Sequence, residues 1–309
     1  MSAARRTLVI HPGALGDVLQ AVPALRALHR DGPLAFAGQP RLGRLLQGLA
    51  VVDAALSFDG LGLQTLFTDQ PVPASLVARL AGFDRVISWF GARDEMYARR
   101  LRAIAPGSVI ALPVPDEDRV ITVWRHLLAT IEAAARPELN PIEPPAAWRD
   151  QARRVLSDLG AKPTRPLLVV HPGAGAKWKL WAVENLARVI ERIVRRAEAQ
   201  AVIHQGPADR DVTLRLSRVL KVPALPLIEP DLPMLAGVLG QAAAYLGADS
   251  GVSHLAAAVG APAVILFPAA TRERWAPWSP TAHVLPIDGE KDQTERVAAA
   301  VGDRMRQGH

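Results

Sequence analysis

Asp249, Ser250, Gly251 and His254 lie close together in the stretch GADSGVSHLAAAVGAPAVILFP, residues 247–268. An apolar run before them predicts a buried strand, and the small apolar residues after them predict a helix. A helix that begins directly after a strand leaves backbone N–H groups without partners, and phosphate is their usual ligand. The alternative is a helix that Asp249 or Ser250 caps with no ligand bound, and the local pattern favours neither interpretation.

A second candidate loop, HPGAGAKWKLW, spans residues 171–181. Gly173 and Gly175 give it conformational freedom, and Lys177 and Lys179 are point charges that can contact phosphate. The spacing of a nucleotide-binding P-loop is absent. The alternative is a solvated loop that a tryptophan anchors.

Two aspartates follow predicted strands elsewhere in the chain. Asp17 follows Gly13 and Gly16 in HPGALGD, where it can either cap a helix or take a proton from a substrate hydroxyl. Asp209 follows the strand after the lysine loop, where it can cap a helix or bond a ribose or sugar hydroxyl. The DxD spacing of Asp209 with Asp211 also occurs at Asp116 and Asp118, where a helix is predicted to begin and acids are expected in any case, and the sequence predicts no metal site.

A short internal repeat indicates which elements of secondary structure position these loops. The segments TLVIHPGALGD at 7–17 and LLVVHPGAGAK at 167–177 both read as a strand followed by His-Pro-Gly-Ala. The chain around them alternates strands with helices, and helical spacing predicts helices over 18–29 and 120–135 among others. The pattern is typical of two doubly wound α/β domains, whose ligand loops follow the carboxyl ends of parallel strands, with a cleft between them.

The proline-rich segment RPELNPIEPP at 136–145 predicts the linker between these domains. We therefore assign an N-terminal Rossmann-like domain to residues 1–145 and a C-terminal one to residues 146–292. A last helix over 293–309 is expected to pack back on the N-terminal domain.

Composition excludes several classes of protein. The 309 residues carry a net charge of +6 that is spread along the chain, which argues against nucleic-acid binding. Cysteine is absent, so disulfides and thiolate sites are excluded. No apolar run reaches the length of a membrane span, and the N-terminus reads as a strand and not as a signal peptide. The expected location is the cytoplasm.

The sequence resembles glycosyltransferase family 9, the ADP-heptose:lipopolysaccharide heptosyltransferases. The matching blocks occur in the family's order and cover nearly the whole chain: PGALGDVLQAVPALRAL at 12–28, HPGAGAKWKLWAVENLARVI at 171–190, QGPADRD at 205–211 and GADSGVSHLAAAVGAPAVILFPA at 247–269. The resemblance implies a GT-B fold, with the acceptor on the first domain and the donor on the second. It implies transfer with inversion, an ADP-sugar as substrate and no required metal or other cofactor.

Residue by residue, the resemblance implies that Asp17 is the catalytic base, with Gly13 and Gly16 on the acceptor side. Lys179 looks like the lysine that meets the donor phosphates, assisted by Gly173 and Gly175 in its loop. The block of Asp249, Ser250, Gly251 and His254 matches the one that holds the donor's diphosphate and sugar, while Asp209 aligns loosely with an acidic ribose or sugar contact.

The implied partners are a nucleotide-sugar donor and a glycolipid or oligosaccharide acceptor, which would bring the protein to the inner membrane surface. Two alternatives stay open. One is a GT-B enzyme that uses another nucleotide-sugar or glycan acceptor, and the other is a non-catalytic, two-lobed binding module for sugars or nucleotides. Whether Lys177 or Lys179 is the main phosphate contact also stays open, as does the role of the arginines between residues 93 and 102.

Overall fold

The computed structural model describes residues 4–131, 136–287 and 292–307. The chain divides into two compact units, Met1–Glu138 and Leu139–His309. The division lies within the predicted linker at 136–145, and each unit contains its own parallel sheet.

The first unit contains a five-stranded sheet in the order β3-β2-β1-β4-β5, with every neighbouring pair parallel. Its strands are β1 (Thr7–Ile10), β2 (Leu34–Gly38), β3 (Ala54–Ser57), β4 (Arg85–Ser88) and β5 (Ser108–Ile110). Its α-helices are α1 (Leu15–Gln20), α2 (Val22–Asp31), α3 (Pro40–Gly48), α4 (Ala74–Leu80), α5 (Glu95–Ile104) and α6 (Val123–Thr130). Short 3-10 helices lie at Asp59–Leu61 and Leu63–Phe67.

Strands β1 and β2 consist of nearly uninterrupted apolar residues because helices cover both faces of this parallel sheet. One face packs on a cluster that includes Leu61, Leu66, Leu76 and Leu101. The segment between β3 and β4, which carries no distinctive sequence pattern, thus supplies much of this core.

The second unit contains a six-stranded parallel sheet in the order β11-β10-β9-β6-β7-β8. Its strands are β6 (Leu167–His171), β7 (Gln200–Gln205), β8 (Ala224–Ile228), β9 (Ala244–Ala248), β10 (Ala263–Pro268) and β11 (Ala282–Ile287). Its helices are α7 (Ala146–Asp158), α8 (Val183–Arg196), α9 (Arg210–Val219), α10 (Leu232–Leu239), α11 (Gly251–Ala258), α12 (Ala269–Trp275) and α13 (Thr294–Gln307), and a 3-10 helix spans Lys177–Lys179.

Both sheets have a strand order that reverses beside the first strand of the unit, which confirms the predicted doubly wound α/β class. Ligand loops in such sheets follow the carboxyl ends of the central strands. The last helix, α13, packs on α8, β9 and β10 of its own unit. Its expected docking on the first unit stays a prediction.

The helix predicted over 18–29 is wrong in its bounds. Two helices, α1 and α2, cover this region and begin three residues earlier, with a break at Ala21. Pro23 has no N–H to donate to the preceding turn, which explains the break. Gly16 is consequently the second residue of a helix.

The helix predicted over 120–135 is also shorter than expected, since α6 covers only Val123–Thr130 and residues 132–135 lie outside the described part. Helix α5 carries most of the arginines between 93 and 102. Arg93, Arg99 and Arg102 are exposed, and Arg100 donates to the carbonyl of Gln70. Arg93, Arg99 and Arg102 therefore form part of a solvated surface.

Candidate active site

The carboxyl ends of β9, β6 and β7 bring the predicted donor residues of the second unit to one edge of its sheet. These three strands are neighbours and parallel. The loops that follow them carry Asp249, Lys179 and Asp209, which are far apart in sequence. The structure thus groups the donor residues that the sequence analysis had selected from three separate blocks.

The turn from β9 into α11 is held by a buried hydrogen-bond network. Ser250 is the N-cap of α11, and its hydroxyl accepts from the Ser253 N–H at 3.3 Å. The Ser253 hydroxyl bonds the Ala248 carbonyl at 2.5 Å and the Tyr245 hydroxyl at 2.8 Å. Ser250 therefore caps α11, and the network fixes the N-terminus of the helix.

Asp249 forms an ion pair with Lys179 just before this helix. Nζ of Lys179 lies 2.7 Å from Oδ2 of Asp249, in an approach that is not aligned as a hydrogen bond. Nε2 of His254 lies 3.9 Å from Oδ1 of the same carboxylate. The Asp249 side chain is only 5% exposed, so the lysine supplies the charge that its burial requires. No local sequence pattern predicts this pairing.

The two lysines of the loop differ in their surroundings. Lys179 lies over the ring of Trp178, 5.4 Å from its centroid, while Lys177 is exposed on the same 3-10 helix. Trp181 is buried and anchors the loop, whereas Trp178 is 62% exposed. Of the two lysines, Lys179 is therefore the one that belongs to the group around Asp249.

Asp209 occupies the N-cap position of α9 but makes no capping bond with its side chain. Its Oδ2 instead accepts from the Gly206 N–H at 3.0 Å, and the carboxylate lies against the α-carbon of Gly173. A methyl group at Gly173 would lie 2.0 Å from Oδ1 of Asp209. A glycine is therefore needed at position 173 because the Asp209 carboxylate packs directly against its backbone, and not only because the loop is flexible.

The replacement Gly173→Ala is expected to displace the Asp209 carboxylate and to weaken ADP binding about tenfold or more, because the new methyl overlaps that carboxylate. Calorimetric titration with ADP measures the effect. Gly175→Ala is the matched control, since a methyl there meets no atom within 4 Å. Equal affinities for the two variants would contradict the packing role of Gly173.

Two buried histidines lie beneath this carboxylate, and neither was assigned a role from sequence. Nδ1 of His171 lies 3.0 Å from Nδ1 of His204, and Nε2 of His171 lies 3.9 Å from Oδ2 of Asp209. Burial lowers the pKa of His171 to about 4 and that of His204 to about 3. The adjacent His171 ring lowers the pKa of His204 further, while the Asp209 carboxylate raises it. Both imidazoles are neutral at pH 7.

Acidification is expected to destabilise the second unit through this pair. The unfolded histidines titrate near 6.5, above their folded pKa values of about 4 and about 3. The unfolded state therefore binds more protons as the pH falls below 6.5, and at about pH 5 each histidine costs about 2 kcal/mol of unfolding free energy. Urea unfolding at about pH 7.5 and about pH 5 measures this loss. A variant in which both histidines are leucine should lose this part of the pH dependence, and an unchanged dependence would refute the assignment.

Asp17 in the first unit is the third residue of α1 and not its N-cap. Its Oδ2 accepts from the Ala14 N–H at 3.0 Å, as in a capping box. A methyl at Gly13 would lie 2.8 Å from Cε1 of His11 and 2.9 Å from Cβ of Asp17. Burial lowers the pKa of His11, while the nearby Asp17 raises it. In each unit the repeated His-Pro-Gly segment thus brings its histidine and glycine into contact with a carboxylate.

Within the described residues, no three histidine and acidic side chains are grouped as metal ligands, and no helix is both long and apolar enough to cross a membrane. The site instead offers a lysine and the N-terminus of α11 as its positive groups. Such groups bind and stabilise anionic oxygens.

Residues 98–301 match the family described as glycosyltransferase family 9 (heptosyltransferase). Lipopolysaccharide heptosyltransferase 3 of Escherichia coli is 29% identical over 140 residues, which cover 44% of this chain and 40% of that protein. The match therefore spans less than half the length of this relative. Asp17 lies before the residues that match the family.

Two solved structures are similar in fold over nearly their whole length. A family 9 glycosyl transferase from Veillonella parvula DSM 2008 has a TM-score of 0.79 at 18% identity, with 98% of this chain and 97% of that chain covered. The E. coli ADP-heptose lps heptosyltransferase II has a TM-score of 0.76 at 16% identity, with 98% and 99% covered. The predicted GT-B class, with its two Rossmann-like domains, is confirmed. From the family match and its extent, the chain belongs to glycosyltransferase family 9 (heptosyltransferase).

Proposed function

We propose that this protein transfers a heptose from ADP-heptose to a hydroxyl of a lipopolysaccharide core acceptor, with inversion at the anomeric carbon. The observation that carries the proposal is the pairing of Lys179 with Asp249 directly before the N-terminus of α11. This arrangement combines a cation, a carboxylate and free helix N–H groups, which suit a diphosphate joined to a sugar. The two E. coli relatives named above carry heptosyltransferase or ADP-heptose in their names, which supports this donor.

In the proposed reaction, Asp17 is the general base. Its carboxylate takes the proton of the acceptor hydroxyl as the oxygen attacks the anomeric carbon. The bond between that carbon and the diphosphate breaks, and ADP leaves with the electron pair. The Ala14 N–H bonds Oδ2 of Asp17, and we assign the proton transfer to the other oxygen.

Negative charge grows on the leaving diphosphate during this step. We assign its stabilisation to Lys179 and to the N–H groups of Gly251 and its neighbours at the start of α11. Ser250 is used in capping the helix, so its role is to fix these N–H groups. Asp249 and His254 face the sugar side of the diphosphate, and Asp209 contacts a ribose or sugar hydroxyl. In this mechanism no metal ion is required.

The acceptor in this proposal is a Kdo or heptose residue of the lipopolysaccharide core, bound by the first unit near Gly13 and Gly16. A protein that glycosylates such a glycolipid is expected to be cytoplasmic and to associate with the surface of the inner membrane. Binding to vesicles that contain the acceptor lipid, compared with vesicles that lack it, measures this association.

A thermal-shift titration tests the donor assignment. ADP and ADP-heptose are expected to raise the melting temperature, with and without EDTA, whereas free sugars and UDP-sugars are not. A larger shift with another nucleotide-sugar would favour a GT-B enzyme with a different donor. A shift with free sugars alone would favour a binding module, and either result would contradict the proposal.

A further inference from the structure

His171 and His204 form a buried pair that the proposed mechanism does not use. Strands β6 and β7 are paired in parallel with Val170 opposite Ile203, so the residues that follow, His171 and His204, also lie side by side. The ring centroids of the two histidines are 4.9 Å apart, and both side chains are buried. The sheet register itself therefore brings the two imidazoles together at its carboxyl edge.

The distance between the two rings determines where their protons lie. Two Nδ1 atoms at 3.0 Å share one proton, so one ring donates and the other accepts. Nε2 of His171 faces the Asp209 carboxylate at 3.9 Å, and the negative charge favours a proton on that nitrogen. A neutral His171 that carries its proton on Nε2 must accept at Nδ1. His204 is then the Nδ1–H donor.

We propose that His171 is a positioning residue for Asp209 and that His204 fixes the tautomer of His171. At 3.9 Å the His171 N–H is beyond hydrogen-bond length and acts on the carboxylate as an oriented dipole. The Gly206 N–H at 3.0 Å and the α-carbon of Gly173 confine the same carboxylate from other sides. The three contacts fix one orientation of Asp209.

The neutral state of the pair has a chemical consequence. An imidazolium beside Asp209 would neutralise the carboxylate, whereas a neutral N–H orients it and leaves its full charge. A fixed, charged carboxylate with 14% of its side chain exposed is suited to accept hydrogen bonds from two adjacent hydroxyls, the vicinal diol of a ribose. This ligand assignment rests on the proposed function, while the orientation of Asp209 does not.

Long-range proton–nitrogen NMR tests the tautomers in the intact protein. The His171 ring is expected to show a protonated Nε2 and an unprotonated Nδ1, and the His204 ring a protonated Nδ1. The two signals are assigned among the eight histidines by their loss in His171→Leu and His204→Leu. The opposite tautomer of His171, or an imidazolium at neutral pH, would overturn the proposal.

Nucleotide binding separates positioning from a merely structural role. His171→Leu is expected to lower ADP affinity about tenfold, as removal of an orienting partner does elsewhere. The same variant should bind dideoxy-ADP, which lacks both ribose hydroxyls, as wild type does. His171→Gln, whose amide can place an N–H near the former Nε2, should recover most of the ADP affinity. A similar loss for both nucleotides would show a structural role and overturn the proposal.

The proposed function and this inference fail in different ways. If wild type binds neither nucleotide, the donor assignment and the ribose contact are both refuted. The NMR measurement alone then decides whether the pair orients Asp209. If wild type binds ADP and His171→Leu binds it equally well, the positioning role is refuted and the proposed function stands.

Discussion

Replacing Asp17 with asparagine is expected to lower kcat for transfer by about a hundredfold to ten-thousandfold, the contribution of a general base. The asparagine oxygen can still accept from the Ala14 N–H, so the start of α1 is preserved. ADP affinity should stay within about twofold of wild type, because a general base acts on the proton of the acceptor hydroxyl and not on the nucleotide. Steady-state kinetics and calorimetric titration measure the two quantities.

Asp31→Asn is the control for this variant, since Asp31 is an exposed carboxylate at the end of α2 in the same unit. It should transfer at the wild-type rate. If Asp17→Asn retained its kcat, or lost ADP affinity as steeply as kcat, the base assignment would be wrong.

Replacing Lys179 with methionine is expected to weaken ADP binding by about tenfold to a hundredfold, since a charged hydrogen bond contributes about 1.5–3 kcal/mol. The kcat should fall as well, because the lysine acts on charge that grows during the reaction. The variant also leaves the buried Asp249 without its cation, at a cost of about 1–3 kcal/mol in unfolding free energy.

Two comparisons separate these effects. Lys177→Met lies on the same exposed turn and should change ADP affinity by less than about twofold. The double replacement of Lys179 by methionine and Asp249 by asparagine should recover stability without recovering ADP affinity, because no buried charge is left unpaired. Equal ADP affinities for the two single lysine variants would refute the choice of Lys179.

The elements that carry the site were predictable because they produce strong local patterns. Strands β6 and β10 are continuous apolar runs. The N-cap Ser250 marks the start of α11, and Gly260 and Pro262 follow its end. Edge strands β8 and β11 were missed. Each contains a proline, Pro226 or Pro286, which is tolerated because an edge strand has an unpaired side but which weakens the strand pattern.

The contacts within the site were less accessible to sequence reasoning. Lys179 and Asp249 follow different strands, and nothing local indicates that their side chains meet. The histidine pair depends on the register between β6 and β7, which the sequence does not specify. Asp209 was placed near a cap correctly, but its actual partner is Gly206, because the turn brings that N–H closer than those of the helix. Sequence patterns thus locate the loops, and sheet register determines their contacts.

The most direct test of the proposed activity is mass spectrometry of a lipopolysaccharide core acceptor after incubation with the wild-type protein and ADP-heptose. The account predicts an acceptor product heavier by one heptose residue, released ADP in equal amount, and at least about a hundredfold less of both products with Asp17→Asn over the same period. An unmodified acceptor in the presence of bound ADP-heptose, or modification only with a different nucleotide-sugar, would contradict it.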